Sequence, residues 1–75
     1  MTINPNPAKD IITISSPLIT ENTNLSVCNV SGEKVIERQL TDTETQIEIS
    51  ALPPGVYFVR VQNEKMVEVW KMVKE

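Results

Sequence analysis

Histidine is absent from this 75-residue sequence, and cysteine occurs once, as Cys28. Without histidine, the chain lacks the side chain most often used as a general base and the nitrogen ligand of most zinc sites. A single cysteine cannot form a disulfide bond within the chain. We therefore expect no catalytic group, no metal site, no cofactor and no internal disulfide.

Basic charge and long apolar runs are also scarce. Seven Lys and Arg residues against ten Asp and Glu residues give a net charge of −3. No basic stripe is available to neutralise phosphates, so nucleic acid is not expected as a partner. No apolar run approaches the roughly 20 residues of a membrane-spanning helix. The first residues do not form a signal peptide, so we expect any export signal upstream and interpret residues 1–3 as an expression start or a linker remnant.

What the sequence does contain is apolar alternation with period two, carried mostly by Val, Ile and Thr. This pattern is typical of β-strands. The predicted strands are residues 10–15, 24–30, 34–40, 45–50, 56–62 and 66–74, with a further short edge strand over residues 18–20. Strand 56–62 has apolar residues on both faces, which predicts a central strand. Together they predict an all-β fold, an immunoglobulin-like antiparallel β-sandwich of six to seven short strands in a single domain over residues 1–75.

Three turns separate the later predicted strands. Gly32 follows Ser31 and supplies the positive φ that a hairpin requires. Pro54 and Gly55 are the residue pair that a type II turn favours at its two central positions. Asn63 is the residue of the last turn that best tolerates the left-handed conformation. The turn at Gly32 therefore predicts a hairpin between strands 24–30 and 34–40.

The remaining polar candidates do not form a reactive set. Cys28 lies within a strand, with no histidine to activate it and no second cysteine nearby, and is interpreted as a small filler or a partly exposed thiol. Asp42 and Glu44 lack the glycine and the distal glutamate of a calcium loop, so a solvated loop is expected. The strand glutamates are interpreted as charges on solvent-facing sides: Glu37, Glu48 and Glu68.

Three segments carry a family resemblance when they are taken together. The first is PNPAKD at residues 5–10, which contains the motif residues Pro5, Asn6 and Pro7. The second is VCNVSGEKV at residues 27–35, which contains Gly32. The third is LPPGVYFVRV at residues 52–61, followed by KMVK at residues 71–74. In this order and spacing, the chain resembles the type A C-terminal sorting domain of the type IX secretion system, or Por secretion system, of Bacteroidota.

The resemblance implies a secretion signal without enzymatic activity. Its implied partners are an N-terminal cargo domain, components of the outer-membrane translocon or its shuttle, and a sortase-like peptidase that removes the domain. The implied route leads through the periplasm to the outer membrane, cell surface or extracellular space. By resemblance, the residues associated with recognition are Pro54, Gly55, Tyr57, Lys71, Val73 and Lys74.

Two other classes of function remain open from the residues alone. One is a structural or adhesin-like β-sandwich spacer of a surface protein, which predicts internal placement or tandem copies in a longer precursor. The other is an enzyme, which is disfavoured because no nucleophile and base can be paired. A homodimer formed by pairing of sheet edges is compatible with a small sandwich.

Overall fold

Seven β-strands and no helix make up the described part of the chain, residues 2–4, 9–19 and 22–75 of a computed structural model. The strands are β1 (Thr2–Asn4), β2 (Ile11–Ser15), β3 (Thr23–Asn29), β4 (Lys34–Leu40), β5 (Glu44–Glu48), β6 (Gly55–Gln62) and β7 (Val67–Lys74). Over these residues, no helix is long and apolar enough to cross a membrane.

The strands form two antiparallel sheets that pack face to face. One sheet has three strands in the order β1-β2-β5, and the other has four in the order β4-β3-β6-β7. The chain therefore changes sheet between β2 and β3, between β4 and β5, and between β5 and β6. The predicted all-β, immunoglobulin-like sandwich is confirmed.

The core lies between the two sheets and follows the period-two pattern. Alternate residues of β2, β3 and β6 point inward, because successive side chains of a strand lie on opposite faces. The buried apolar side chains are Ile3, Ile12, Ile14, Ile19, Leu25, Val27, Leu40, Ile47, Ile49, Tyr57, Val59, Val61 and Met72. Most are β-branched or leucine, so burial of aliphatic surface provides the main stabilisation of the fold.

A β-bulge shapes the edge formed by β4. The register of β3 and β4 shifts between Val27 and Cys28, which pair with Ile36 and Lys34, so that Val35 is the extra residue. Because an extra residue locally upsets the alternation, Val35 and Ile36 are both half-buried and pack against the core.

The described strands depart from the predicted ones at two places near the amino terminus. Residues 2–4 form β1, which pairs with β2 through Ile3 and Ile14, although no strand was predicted there. The edge strand expected over residues 18–20 does not form at Leu18 and Ile19, and Thr20 lies outside the described residues. Instead, Ser16 Oγ accepts from the Leu18 N–H at 3.1 Å, and the chain turns there.

Of the three predicted turns, the structure confirms the positive φ at Gly32 and Gly55 but not at Asn63. Gly32 has a φ of +85°, as expected for the β3–β4 hairpin. Gly55 has a φ of +154° and begins β6, whereas a type II turn needs about +80° at this position. Its positive φ is confirmed, but the turn type is wrong because pairing with Lys74 extends the backbone. The left-handed conformation predicted for Asn63 is also wrong, since no described residue other than glycine has a positive φ.

Strand β6 is central, as predicted, and pairs with β3 on one side and β7 on the other. Only one of the two faces of β6 is buried. Tyr57, Val59 and Val61 point into the core, whereas Phe58 lies on the opposite face and is 40% exposed. The outer face of the four-stranded sheet therefore keeps apolar side chains at the surface.

Candidate functional site

Residues from two distant motifs meet at one end of the four-stranded sheet. Gly55 pairs with Lys74, Val56 with Val73, and Phe58 with Lys71, because β6 and β7 are antiparallel neighbours. We call the start of β6 with its preceding turn (residues 53–57) and the end of β7 (residues 71–75) the β6–β7 corner. All six recognition residues implied by the resemblance lie in this corner.

Tyr57 supports the corner from inside. Its side chain is 5% exposed, and its hydroxyl donates a hydrogen bond to the Pro53 carbonyl oxygen at 2.6 Å. The ring therefore belongs to the core, while the hydroxyl holds the turn that carries Pro54 and Gly55. Any contribution of Tyr57 to recognition would act through the shape of this turn.

Replacing Tyr57 with Phe is expected to lower the free energy of unfolding by about 1 kcal/mol, the usual net contribution of one hydrogen bond. Urea unfolding of the purified chain measures this loss. Export of a cargo fused to the variant should then fall only as far as the folded fraction falls. Unchanged stability together with lost export would instead mean that a partner contacts the hydroxyl directly.

The other five corner residues differ in what they offer to solvent. Pro54, Gly55, Lys71 and Val73 are exposed. Lys74 is 8% exposed, and its Nζ donates to the Glu75 carbonyl oxygen at 2.9 Å. A partner could therefore contact the side chains of Pro54, Lys71 and Val73, whereas most of the Lys74 side chain is covered.

The other motif residues are separate from the corner or lie outside the described residues. Pro5, Asn6 and Pro7 fall among the residues that are not described. Gly32 lies in the β3–β4 hairpin, where its N–H donates to the Asn29 carbonyl oxygen at 3.0 Å. Asn29 Oδ1 also accepts from the N–H groups of Ser31 and Glu33, both at 3.0 Å. This motif therefore stabilises a hairpin.

The polar candidates are not brought together as a reactive or metal-binding group. Over residues 2–4, 9–19 and 22–75, no three Cys, Asp or Glu side chains are placed to hold a metal ion. Asp42 and Glu44 are exposed, and Cys28 is a half-buried free thiol. Glu37 lies 3.7 Å from the Lys34 ammonium, an exposed ion pair of little energetic weight.

Two of the three strand glutamates lie where they were predicted. Glu37 and Glu48 are exposed. Glu68 is half-buried, because it shares the inward-pointing side of β7 with Met72. Its interpretation as a solvent-facing charge is therefore wrong.

A comparison with known protein families identifies the family of this chain. The family model described as "Secretion system C-terminal sorting domain" matches residues 2–75. The chain belongs to this family of type IX secretion sorting domains. The match covers both strands of the β6–β7 corner, and domains of this family act as sorting signals and are not catalytic. Membership implies export to the cell surface or the extracellular space.

A segment similar to this sorting domain occurs in a far longer protein. The sorting domain is 32% identical, over 62 residues, to a funoran endo-beta-hydrolase of Wenyingzhuangia aestuarii. The alignment covers 81% of this chain but only 8% of that protein. The chain therefore spans only a small part of the length of this relative.

Two features of the sorting domain were not predicted from its sequence. Phe58 and Val69 are exposed on the outer face of the four-stranded sheet. Asn63 was assigned to a turn, but its side chain also bonds to Leu18 and Thr23. The apolar alternation on the second face of β6 and β7 was the available signal for the exposed Phe58 and Val69. No local signal in the sequence indicates the hydrogen bonds of Asn63 to Leu18 and Thr23.

Proposed function

We propose that the outer-membrane translocon, or a shuttle component of the type IX system, recognises the folded sorting domain at the β6–β7 corner. The observation that carries this proposal is the register of β6 and β7, which places Pro54, Lys71 and Val73 on one exposed end of the sheet. A folded domain without reactive groups acts through its surface. Pro54 and Lys71 are 17 positions apart in sequence, and they form one surface only when β6 and β7 are paired.

The proposal includes transit and removal. A cargo domain precedes the sorting domain, crosses the inner membrane by its own signal peptide, and passes through the periplasm before the corner is bound. A sortase-like peptidase then cleaves the chain upstream of β1 and releases the cargo at the cell surface or into the medium. The relative of Wenyingzhuangia aestuarii supports attachment to a longer protein, because its matched segment is 8% of that protein's length.

The test fuses a reporter with a signal peptide to the amino terminus of the sorting domain in a bacterium that has type IX secretion. We expect the reporter outside the outer membrane and shortened by the mass of the sorting domain. A strain without the translocon and a fusion without the sorting domain serve as controls. A reporter that stays in the periplasm would contradict the sorting function, and an exported reporter of full mass would contradict removal alone.

The corner itself is tested with Lys71→Ala and the matched control Lys65→Ala in the same fusion. Both lysines are exposed, but Lys65 lies in the β6–β7 turn at the opposite end of the strands. We expect export to fall for Lys71→Ala and to stay unchanged for Lys65→Ala. Equal export of the two variants would show that recognition of the corner does not depend on Lys71.

A further inference from the structure

The outer face of the four-stranded sheet concentrates the apolar surface of the sorting domain. Phe58 is 40% exposed, Val69 58% and Val73 38%. They lie on two paired strands, with the half-buried Val56 beside Val73. We call these four residues the Phe58 patch. A contiguous group of this kind on a small soluble domain marks an interaction site more often than isolated exposed side chains do.

Phe58 occupies the centre of the patch. It pairs with Lys71 on β7, so Val69 and Val73 are its two diagonal neighbours on that strand. Diagonal side chains of paired strands lie about 7–8 Å apart, within reach of an aromatic ring. On its other side, Phe58 pairs with Cys28 of β3. In the part of the chain that the structure describes, no strand packs onto this face.

Beside the patch, a polar depression of about 440 Å³ crosses the same face. Its lining residues are Asn24, Leu25, Ser26, Lys34, Glu37, Arg60 and Gln62. Arg60 lines the depression and pairs with Val69 of the Phe58 patch, so it lies where the two areas meet. The face therefore offers an apolar centre next to a polar recess.

The charge of this face is opposite to that of the whole chain. Lys34, Arg60 and Lys71 are basic and Glu37 is acidic, whereas the chain carries a net charge of −3. A partner surface with carboxylates beside apolar side chains is complementary to it. A second copy of the sorting domain would instead bring basic groups against basic groups, which opposes self-association through this face.

The position of β1 affects which face of the sandwich a partner can reach. Strand β1 belongs to the three-stranded sheet, on the other layer of the sandwich. A cargo domain that precedes β1 is thus joined to the layer opposite the Phe58 patch. The patch is directed away from this junction and is accessible to a separate molecule while the cargo is attached.

We propose that the Phe58 patch and Arg60 form a docking surface for a protein of the secretion machinery that presents carboxylates among apolar side chains. This inference rests on the proposed sorting function: it extends the contact area from the β6–β7 corner along the outer face of the sheet and adds the chemistry of the partner. The partner's apolar side chains would cover Phe58 and Val69. Its carboxylates would enter the polar depression and pair with Arg60, where Arg can bind a carboxylate through two parallel hydrogen bonds.

The first experiment measures export of the reporter fusion with Phe58→Thr combined with Val69→Thr, and separately with Arg60→Glu. Threonine preserves strand propensity at these exposed positions. Matched controls are Ile11→Thr, at a residue 45% exposed on the three-stranded sheet, and Lys65→Glu. We expect the exported fraction to fall several-fold for the patch variants and to stay unchanged for the controls. Arg60→Lys should lower export less than Arg60→Glu does, because lysine keeps the positive charge but cannot make the two parallel hydrogen bonds. Thermal unfolding of each purified chain shows whether a variant is still folded, so that a loss of export through unfolding can be distinguished from a loss of docking.

The outcomes separate this inference from the sorting function. If the unaltered fusion is not exported, the sorting function itself fails. If the unaltered fusion is exported, the patch variants must be compared with Ile11→Thr. Folded patch variants that are exported to the same extent as Ile11→Thr would show that the docking surface is wrong, while the sorting function stands.

The second experiment identifies the occupant by placing a photo-crosslinking amino acid at Gln62, on the rim of the depression, or at the exposed Gln46 of β5. We expect an adduct at Gln62, absent at Gln46, with a secretion-machinery protein whose crosslinked peptide contains Asp or Glu. Exchanging that carboxylate for Lys should restore export of Arg60→Glu. An adduct between two copies of the fusion, an adduct with lipid, or no adduct at Gln62 would overturn the proposal.

Discussion

Leu25→Ala is expected to remove about 2–5 kcal/mol from the free energy of unfolding. Leu25 is fully buried in β3, where it lies between Arg38 of β4 and Val61 of β6. The shortened side chain leaves a cavity at the centre of the four-stranded sheet. A 75-residue domain buries a smaller fraction of its surface than a larger domain does and has little stability in reserve. We therefore expect a substantial unfolded population at room temperature.

Urea unfolding followed by circular dichroism measures this effect. Leu18→Ala is the matched control, because it makes the same truncation at a side chain that is 48% exposed; it should change stability by no more than about 0.5 kcal/mol. The two variants also separate folding from export. If Leu25→Ala unfolds but its fusion is exported normally, recognition of a folded surface is contradicted.

Asn63→Ala is expected to cost about 2–3 kcal/mol, because several hydrogen bonds of about 1 kcal/mol or less end at this one side chain. Its Nδ2 donates to the Leu18 carbonyl oxygen at 2.8 Å and to Thr23 Oγ1 at 2.9 Å. Its Oδ1 accepts from the N–H groups of Lys65 and Met66, at 2.8 and 3.0 Å. Asn63 thus ties the β6–β7 turn to the connection between β2 and β3, where the chain changes sheet.

Two variants resolve these contributions in denaturant unfolding. Asn63→Asp keeps an acceptor for the turn but removes the donor to Leu18 and Thr23, so we expect about half of the loss. Asn24→Ala is the control, since Asn24 is exposed in the adjacent β3, and a surface change there should stay within about 0.5 kcal/mol. A neutral Asn63→Ala would show that the two connections are held without this side chain.

The sandwich could be predicted because its signal is local. Alternation in residues such as Ile12 and Ile14, or Leu25 and Val27, marks which side chains point inward without any knowledge of the partners. Strand β1 was missed because three residues before Pro5 are too few to form a pattern. The conformation of Gly55 was missed for another reason, since the pairing of Gly55 with Lys74 overrides the turn preference of Pro54 and Gly55.

The candidate site could be located only in part. The resemblance names residues 54–57 and 71–74, and the register of β6 and β7 then shows that they are neighbours. The burial of Tyr57 and Lys74 depends on the opposite sheet and on the path of the chain end, which no short pattern encodes. The exposure of Phe58 depends on the absence of a third layer, and alternation alone cannot distinguish a covered second face from an open one.

The pairing of β2 with β5 has a consequence for the rate of folding. Ser15 pairs with Glu44 and Ile11 with Glu48, so the three-stranded sheet joins segments that are about thirty positions apart. The hairpins β3–β4 and β6–β7 can close locally, but this sheet must first close a long loop. Sandwiches built from such distant pairs fold on the order of milliseconds to seconds. A newly extended chain therefore remains without its finished surface for that interval, during which chaperones and proteases compete with completion of the fold.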